Sequence, residues 1–376
     1  MHEESASNLP ASLLARARQR GGDVALRHKR LGLWQERTWE QLLAEVQGLA
    51  SGMREAGFVV GDSLVILSRP RPEALLASLA AQWLGGTAAL LDPLAPAEEQ
   101  LTLLRELEAG FVLAEGQEEV ERVRQADSLP RLLFYADGRG LADAGVQSYA
   151  RLAAQQPDSA LSILAQGERP AFSFHRLDGE GQAQQQCLSH IELLGEAHGL
   201  IEQERLTAAE EALAARTFAA SGQARYLLAP WLLAGFRLNF PESLATRDND
   251  RRELGPTLVL GTHESYGRLY ALAQQRLPLP GSLLRRWLDW ALTAREGVLR
   301  YSFGYWLLLR PLRDVLGLSR TRVPLLVGEA LPSEAQAFFA ALGVAPRAWP
   351  ETPRWQATRT LRPSIAAWPQ GHEQPA

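Results

Sequence analysis

The sequence predicts an α/β protein in which helices flank mostly parallel β-sheets. Short apolar runs typical of buried strands alternate with amphipathic helical segments along residues 38–135, and this alternation favours parallel sheets. Hydrophobic residues make up 46% of the chain and charged residues 22%, which is typical of folded globular proteins. The length of 376 residues is enough for two or three domains.

The first half of the chain carries the clearest element signals. In residues 38–57, apolar side chains recur at helical spacing, with Thr38 as the predicted N-cap and Gly57 as the predicted C-cap. Strands and helices then alternate without long gaps. The predicted strands are 64–67, 87–91, 111–115 and 131–135, and the predicted helices between them are 72–84, 96–108 and 117–126.

The second half combines apolar runs with longer helical stretches. The predicted strands are 170–174, 254–261 and 323–330, and the predicted helices are 190–218, the segment after 261 through Tyr270, 281–318 and 333–341. Residues 137–168 are predicted to form a looser connection. We expect an N-terminal α/β subdomain over 1–165, a second α/β subdomain over 166–350 and a loose C-terminal tail over 351–376.

Composition excludes several classes of protein. The net charge of −4 and the pI near 6.0 argue against nucleic-acid binding by bulk charge. The only cysteine, Cys187, excludes an internal disulfide and a cysteine-rich metal site. The only lysine, Lys29, leaves 38 arginines among the 39 basic residues. No metal site is predicted, because His175 and His263 lack ligand partners at suitable spacing.

The sequence also predicts the protein's location. The N-terminus has neither a basic start nor an apolar core, so no signal peptide is predicted. The longest nearly uncharged run, residues 74–91, is interrupted by Gly85 and Gly86 and is too short to span a bilayer. We therefore predict a cytoplasmic protein, with peripheral association at the inner face of a membrane as an alternative.

Four segments carry an ordered set of motifs: TWEQLLAEVQGLASGMREAGFVVGDSLVIL (38–67), RPEALLASLAAQWLGGTAALLDPLAP (71–96), LGPTLVLGTHESYGRLYAL (254–272) and VGEALPSEAQAFFAALGV (327–344). In this order they resemble the adenylate-forming (AMP-binding) superfamily, in particular long-chain acyl-CoA synthetases. The resemblance implies the N-terminal domain of that fold, made of two α/β subdomains, with the C-terminal lid domain absent. It also implies the family's chemistry, in which a carboxylate and ATP form acyl-AMP before transfer to a thiol.

The resemblance places the family's phosphate loop in AFSFHRLDGEGQAQQQCLSH (171–190). Gly181 matches a loop glycine, but Gln184 stands where the family has its lysine. Asp178 and Glu180 replace a glycine and a threonine, and each carboxylate would repel a triphosphate by about 1–4 kcal/mol. The degenerate nucleotide-site positions implied by the resemblance are Gly179, Gly181, Ser189, His190, Glu351 and Thr352.

Each of these positions also has a purely structural interpretation. Gly179 and Gly181 are favoured as ordinary turn glycines, because a lone G-x-G is weak evidence for phosphate binding. Ser189 is favoured as the N-cap of a helix that starts at His190. Glu351 and Thr352 are a remnant of the family's Tyr-Gly-x-Thr-Glu segment, in which the tyrosine and glycine are missing. No catalytic residue is assigned.

The second set of candidates concerns an acyl group or a partner. The resemblance places Gly261, Gly328 and Ala330 in the segments that follow strands of the second subdomain. Residues 281–313 alternate arginines with aromatic residues that include Trp287 and Trp306. This pattern is typical of packed helices, of partner-binding helices and of interfacial membrane helices.

Three functions follow as hypotheses. The first is a non-adenylating relative of acyl-CoA synthetases that binds an acyl group, such as a fatty acid, or a protein partner, with no cofactor. The second is an ATP-dependent long-chain fatty acid–CoA ligase with a rewired site or a lid supplied in trans, which alone would need ATP and Mg²⁺. The third is a lipid-pathway interaction module that uses residues 281–313.

Overall fold

The computed structural model describes most of the chain. The described residues are 7–127, 129–141, 146–158, 161–216, 218–279, 281–283, 285–287, 309–351 and 354–358.

Strands and helices alternate along most of this length, as the apolar runs predict. The strands are β1 (Val24–Arg30), β2 (Leu33–Thr38), β3 (Ser63–Leu67), β4 (Thr87–Leu91), β5 (Phe111–Ala114), β6 (Leu132–Tyr135), β7 (Gln147–Ser148), β8 (Pro170–Leu177), β9 (Ala183–Ser189), β10 (Glu211–Leu213), β11 (Arg237–Phe240), β12 (Leu258–Thr262), β13 (Val323–Val327), β14 (Arg347–Trp349) and β15 (Gln356–Ala357). The helices are α1 (Leu9–Arg20), α2 (Trp39–Glu55), α3 (Pro72–Trp83), α4 (Ala97–Leu107), α5 (Gln117–Gln125), α6 (Tyr149–Ala153), α7 (His190–Glu204), α8 (Ser221–Gln223), α9 (Ala229–Ala234), α10 (Arg247–Leu254), α11 (His263–Arg276), α12 (Arg310–Val315) and α13 (Ser333–Ala341), with a π-helical turn at Ala224–Leu228.

The first sheet has eight strands in the order β15-β9-β8-β4-β3-β5-β6-β7. Strands β3 to β8 run parallel, whereas β9 and β15 are antiparallel to their neighbours. Alternate side chains of β3 enter different cores: Leu64 and Ile66 pack with α2 and α3, and Val65 and Leu67 pack with α4. The sheet is therefore covered on both faces, which is why its strands read as continuous apolar runs.

The second sheet has seven strands in the order β14-β13-β12-β10-β11-β1-β2. All neighbours are parallel except β2, which forms an antiparallel hairpin with β1. The two sheets exchange segments of the chain, because residues 24–38 join the second sheet and residues 170–189 join the first. The predicted division at 165/166 is thus not the division between the sheets, and the domain boundaries stay a prediction.

The predicted start of helix α2 is confirmed. The Thr38 hydroxyl accepts a hydrogen bond from the Gln41 backbone at 3.3 Å, and the Gln41 side chain accepts one from the Thr38 backbone at 2.9 Å. This reciprocal capping box satisfies two otherwise unpaired N–H groups. The predicted C-cap is one residue off, because Ala56 caps the helix and Gly57, at φ +87°, reverses the chain.

Several predicted elements need correction. The predicted helix over 190–218 ends at Glu204, where Arg205 adopts a left-handed φ of 52°, and the buried strand β10 follows. The predicted loose connection 137–168 contains β7 and α6, and the predicted loose tail contains β15. Short strands of this kind escape detection from sequence because their pairing partners, rather than their own pattern, stabilise them.

The prediction of a helical stretch over 281–318 is only partly covered. Helix α12 lies within it, whereas residues 288–308 lie outside the described residues. Within the described part of the chain, no helix combines the length and the apolar character that crossing a bilayer requires.

Candidate functional site

The predicted phosphate loop is a β-hairpin whose turn is closed by its own carboxylate. Strands β8 and β9 pair antiparallel up to Leu177 and Ala183. The Asp178 Oδ1 atom accepts hydrogen bonds from the backbone N–H groups of Glu180 (3.0 Å) and Gln182 (2.9 Å). The Gly181 N–H donates to the Asp178 carbonyl at 3.0 Å. We name residues 178–182 the hairpin turn.

Two polar side chains beside the hairpin turn, Gln184 and Arg176, also have partners. Asp178 Oδ2 accepts a hydrogen bond from Gln184 Nε2 at 3.2 Å, at the position where the resemblance implies a lysine. Arg176 directs its guanidinium to Gln184 Oε1 at 3.1 Å and over the ring of Trp355, 4.2 Å from its centroid. Gly181 lies at φ +77°, whereas an added Cβ on Gly179 would meet no atom within 4 Å. Gly181 therefore fits the turn interpretation.

The backbone N–H groups of the hairpin turn are occupied by Asp178. Phosphate cradles consist of backbone N–H groups that point outward at the anion. Here three of those N–H groups already donate to Asp178, and the carboxylate places negative charge where a phosphate would lie. Strand β15 pairs with β9 at Gln184 and Gln185, next to the hairpin turn.

Ser189 and His190 have structural roles. The Ser189 hydroxyl caps helix α7 by accepting a hydrogen bond from Glu192 N at 3.2 Å. His190 is 1% exposed, and its Nδ1 accepts a hydrogen bond from the Leu9 backbone at 3.3 Å. Burial lowers the pKa of His190 to about 4, so the ring is neutral at pH 7 and ties α1 to α7.

Glu351 lies at the carboxyl end of the second sheet. Its Oε1 accepts hydrogen bonds from the Ser221 hydroxyl at 2.6 Å and from Gly222 N at 3.0 Å. A Cβ on Gly222 would lie 3.0 Å from Val327 Cγ1, so the glycine allows the start of α8 to approach strand β13. Sequence reasoning assigned no role to Ser221 and Gly222, although a Ser-Gly pair before an apolar helix is a recognisable helix start. Thr352 lies outside the described residues.

Gly261, Gly328 and Ala330 are brought to the same edge as Glu351. Strands β12, β13 and β14 are parallel neighbours, and their carboxyl ends meet at the edge where open α/β sheets bind ligands. Gly261 and Glu351 both line a small cavity of about 30 Å³. The ring of Tyr266 would lie 2.5 Å from a Cβ on Gly261, which gives that glycine a packing role. The Ala330 carbonyl lies 2.9 Å from His263 Nδ1.

A larger cleft opens beside Gly261. Its volume is about 200 Å³, and four arginines line it together with apolar side chains and Glu264. We name it the arginine cleft. Its arginines are Arg216, Arg247, Arg251 and Arg268.

The arginines of this cleft have few acidic partners. Asp248 Oδ1 lies 3.0 Å from Arg251 Nη1 and 3.6 Å from Arg268 Nη2. Arg216 donates a hydrogen bond to the Thr262 hydroxyl. Burial lowers the pKa values of Arg216, Arg247 and Arg251 below their usual range. Sequence reasoning missed all four, because they lie on three segments of the chain that are distant in sequence and give no local pattern.

A second basic cleft differs in its charge balance. This cleft of about 320 Å³ lies at the carboxyl ends of β3, β5 and β6, and we name it the ion-pair cleft. Arg71 lies 3.5 Å from Glu115 and 3.7 Å from Asp137, and Arg69 lies 3.0 Å from Glu115. Burial by itself would lower the pKa values of Arg69 and Arg71. The neighbouring carboxylates outweigh burial and raise both pKa values above their usual range.

The remaining candidates are not gathered at either cleft. Trp287 is 56% exposed, and Trp306 lies outside the described residues. In the part of the chain that the structure covers, no group of three or more His, Cys, Asp or Glu side chains is arranged to hold a metal ion.

Part of the sequence matches a known protein family. Residues 13–169 match the family model of AMP-binding enzymes. No protein of curated function matches the sequence.

Solved structures show the same fold across most of the chain. The A-PCP didomain of a carboxylic acid reductase from Segniliparus rugosus, in complex with AMP, is 15% identical with a TM-score of 0.72, covering 93% of this chain and 53% of that one. A benzoate CoA ligase from Burkholderia xenovorans is 17% identical with a TM-score of 0.67, covering 92% and 61%. Apo MatB from Rhodopseudomonas palustris is 17% identical with a TM-score of 0.65, covering 91% and 59%. The chain thus spans less than two thirds of each of these three structures.

Proposed function

We propose, from the premise that this chain belongs to the adenylate-forming superfamily, that it binds a small ligand on the superfamily's N-terminal scaffold without adenylating it. The superfamily assignment stands on the AMP-binding family match over 13–169 and on the fold. One observation carries the rest of the proposal. Asp178 accepts the N–H groups that a phosphate loop would offer to ATP.

The energetic reason is the fixed charge of the hairpin turn. A nucleotide seated there would have to displace Asp178 from two backbone N–H groups and from Gln184. Hydrogen bonds to a charged group contribute about 1.5–3 kcal/mol each, and the displaced carboxylate would still repel the phosphates. Gln184, at the position implied for the lysine, is uncharged, and the Arg176 guanidinium beside it already donates to Gln184 Oε1. The hydrogen bonds that would be lost and the charge of Asp178 both oppose ATP.

We place the proposed ligand site at the carboxyl edge of the second sheet. Gly261 and Glu351 line adjoining cavities there, and Gly328 lies close to the Glu351 carboxylate. This edge is where parallel sheets bind ligands, and neither cavity depends on the hairpin turn.

An ATP-dependent acyl-CoA ligase is the second candidate function, and Glu351 is the observation that favours it. Its Oε1 is held by Ser221 and Gly222, while its Oε2 has no hydrogen-bond partner among the described residues. A carboxylate oxygen of this kind can join a Mg²⁺ shell. It lies on the second sheet, however, and does nothing to relieve the charge of Asp178.

Pyrophosphate exchange separates the two candidates. The purified chain is mixed with ATP, Mg²⁺ and labelled pyrophosphate, together with a panel of aromatic, dicarboxylic and fatty acids. We expect no exchange above the protein-free blank and no ATP heat in calorimetry. Acid-dependent exchange that disappears in Glu351→Gln would overturn the proposal and establish the ligase.

A further inference from the structure

We propose that the arginine cleft binds a small organic dianion, either a phosphomonoester or a dicarboxylate, through Arg216, Arg247 and Arg268. The inference goes beyond the proposed function, because it would hold whether or not the protein uses ATP.

Helix geometry places two of the arginines side by side, and tertiary packing brings the other two to them. Arg247 and Arg251 are four residues apart on α10, one turn from each other on the same face. Arg268 lies on α11 one turn after Glu264, and Arg216 follows strand β10. Since all four line the same cavity, three separate segments of the chain direct guanidinium groups to one space.

The cavity has more positive than negative charge. Its four arginines face three carboxylates: Glu264 on the lining, Asp248 behind Arg251 and Arg268, and Glu351, whose charge acts on Arg216. Arg247 has no ion pair among the described residues. Burial lowers the pKa values of Arg247 and Arg251, and repulsion from the neighbouring arginines lowers them further. A bound dianion would remove this repulsion.

The ion-pair cleft differs because most of its basic side chains are already held in ion pairs. There, Arg71 is shared among Glu73, Glu115 and Asp137, so an incoming anion would compete with carboxylates already in place. In the arginine cleft, Arg247 has no ion pair among the described residues, and Glu264 is exposed to solvent.

Two buried polar atoms in the cleft wall lack partners. Arg251 is 7% exposed and Tyr266 is 1% exposed. The Arg251 Nη2 and the Tyr266 hydroxyl make no hydrogen bond among the described residues. An unmet buried donor is costly, and both residues belong to the lining of the cleft.

The shape of the cleft limits what that ligand is. Apolar side chains such as Leu213, Val259 and Leu269 form the rest of the wall. The volume of about 200 Å³ is below the range of about 300–1,000 Å³ usual for drug-sized sites. The geometry therefore fits a compact body that carries a doubly charged group, since guanidinium groups bind carboxylate and phosphate oxygens in pairs.

Calorimetric titration tests the proposal on the full chain. The probes are phenyl phosphate and phthalate as dianions, with benzamide as the uncharged comparison, at pH 8 and low salt. We expect at least one dianion to bind with a 1:1 stoichiometry, at least tenfold more tightly than benzamide, and to weaken as salt rises. Binding of phenyl phosphate alone assigns a phosphomonoester, and binding of phthalate alone assigns a dicarboxylate.

Arg247→Gln and Arg252→Gln form a matched pair of variants on α10. Arg247 lines the cleft, whereas Arg252 is exposed and does not. We expect Arg247→Gln to weaken dianion binding at least tenfold and Arg252→Gln to leave it within twofold. Absence of dianion binding to the native chain, or equal effects of the two variants, would overturn the inference.

The same titrations keep this inference apart from the proposed function. ATP binding with pyrophosphate exchange would defeat the proposed function and leave dianion recognition standing. If neither dianion binds, the inference is wrong, and the proposed function is unaffected.

Discussion

The hairpin turn and the arginine cleft are opposites in their charge. In the hairpin turn, backbone N–H groups that suit a phosphate are occupied by the chain's own carboxylate, Asp178. In the arginine cleft, guanidinium groups lie near few carboxylates, and two buried donors have no partner among the described residues. The place that the family resemblance marks for anion binding is thus the less suited of the two.

This contrast teaches that the position of a loop does not establish its chemistry. The hairpin turn lies between two strands and before a helix, as the resemblance implies. A carboxylate at residue 178 is enough to convert the donors of such a loop into internal turn hydrogen bonds. Whether a group binds anions depends on the charge that remains after the protein's own partners are counted.

The strongest test of this principle lies in the ion-pair cleft. Arg71→Ala would leave Glu73 and Glu115, which are 5% and 7% exposed, with one cation fewer. We expect a loss of about 3 kcal/mol in the free energy of unfolding, measured by urea denaturation at constant m-value. Arg30→Ala in the same cleft is the control, because Arg30 is exposed and has no ion pair among the described residues. Equal losses of stability in the two variants would contradict the role of Arg71 in neutralising these carboxylates.

The second prediction concerns pH and the hairpin itself. Burial lowers the pKa of His175 on β8 to about 4, below the unperturbed value of 6.5. The unfolded chain therefore binds more protons than the folded one between these values, and stability falls as pH drops from about 6.5 towards 4. We expect His175 to contribute about 2 kcal/mol of this loss between pH 7 and pH 5.

Thermal unfolding of the native chain and of His175→Gln from pH 7.5 to pH 5 measures that contribution. The variant should show a smaller decrease over this range. His190→Gln serves as a comparison at a second buried histidine. A decrease of equal size in the native chain and in His175→Gln would show that His175 is not held neutral.

The third prediction compares the two carboxylates of the hairpin turn. Asp178→Ala removes an acceptor used by two backbone N–H groups and by Gln184. We expect it to destabilise the protein by about 1–2 kcal/mol. Glu180→Ala removes the same charge from an exposed side chain and should change stability by less than about 0.5 kcal/mol. A larger loss for Glu180→Ala would mean that Asp178 does not organise the turn.

The smallest expected effect is in the arginine cleft. Arg247→Ala removes a guanidinium that faces Arg251 and Arg268 without an ion pair in the described structure. We expect stability to stay within about 0.5 kcal/mol or to rise slightly, since partly exposed charges interact weakly. Thermal unfolding with and without phosphate should show a smaller stabilisation of this variant than of the native chain. A loss above about 1 kcal/mol would place Arg247 in a structural ion pair.

The sequence predicts the first sheet well because its strands are buried on both faces. Strands β3, β4 and β5 read as continuous apolar runs, and helix α2 carries its own cap at Thr38. Strands β10 and β11 are short. Strand β11 pairs with β1 (residues 24–30), which is far away along the chain. No local pattern encodes that pairing, so the predicted helix over 190–218 runs through β10.

The candidate site divides in the same way. The replacement of glycine and threonine by Asp178 and Glu180 is visible in the sequence, and it predicts a turn whose carboxylates repel phosphate. The hydrogen bonds of Asp178 to its own turn require coordinates. The meeting of Arg216, Arg247 and Arg268 depends on tertiary packing, which spacing along the chain does not reveal.

The most direct test of the central claim observes the hairpin turn during a titration with ATP and Mg²⁺. Amide resonances of Glu180, Gly181 and Gln182 in the ¹⁵N-labelled protein report on the N–H groups that Asp178 holds. We expect these three resonances to stay in place up to millimolar nucleotide. Saturable shifts of all three, with loss of the Asp178 hydrogen bonds, would contradict it.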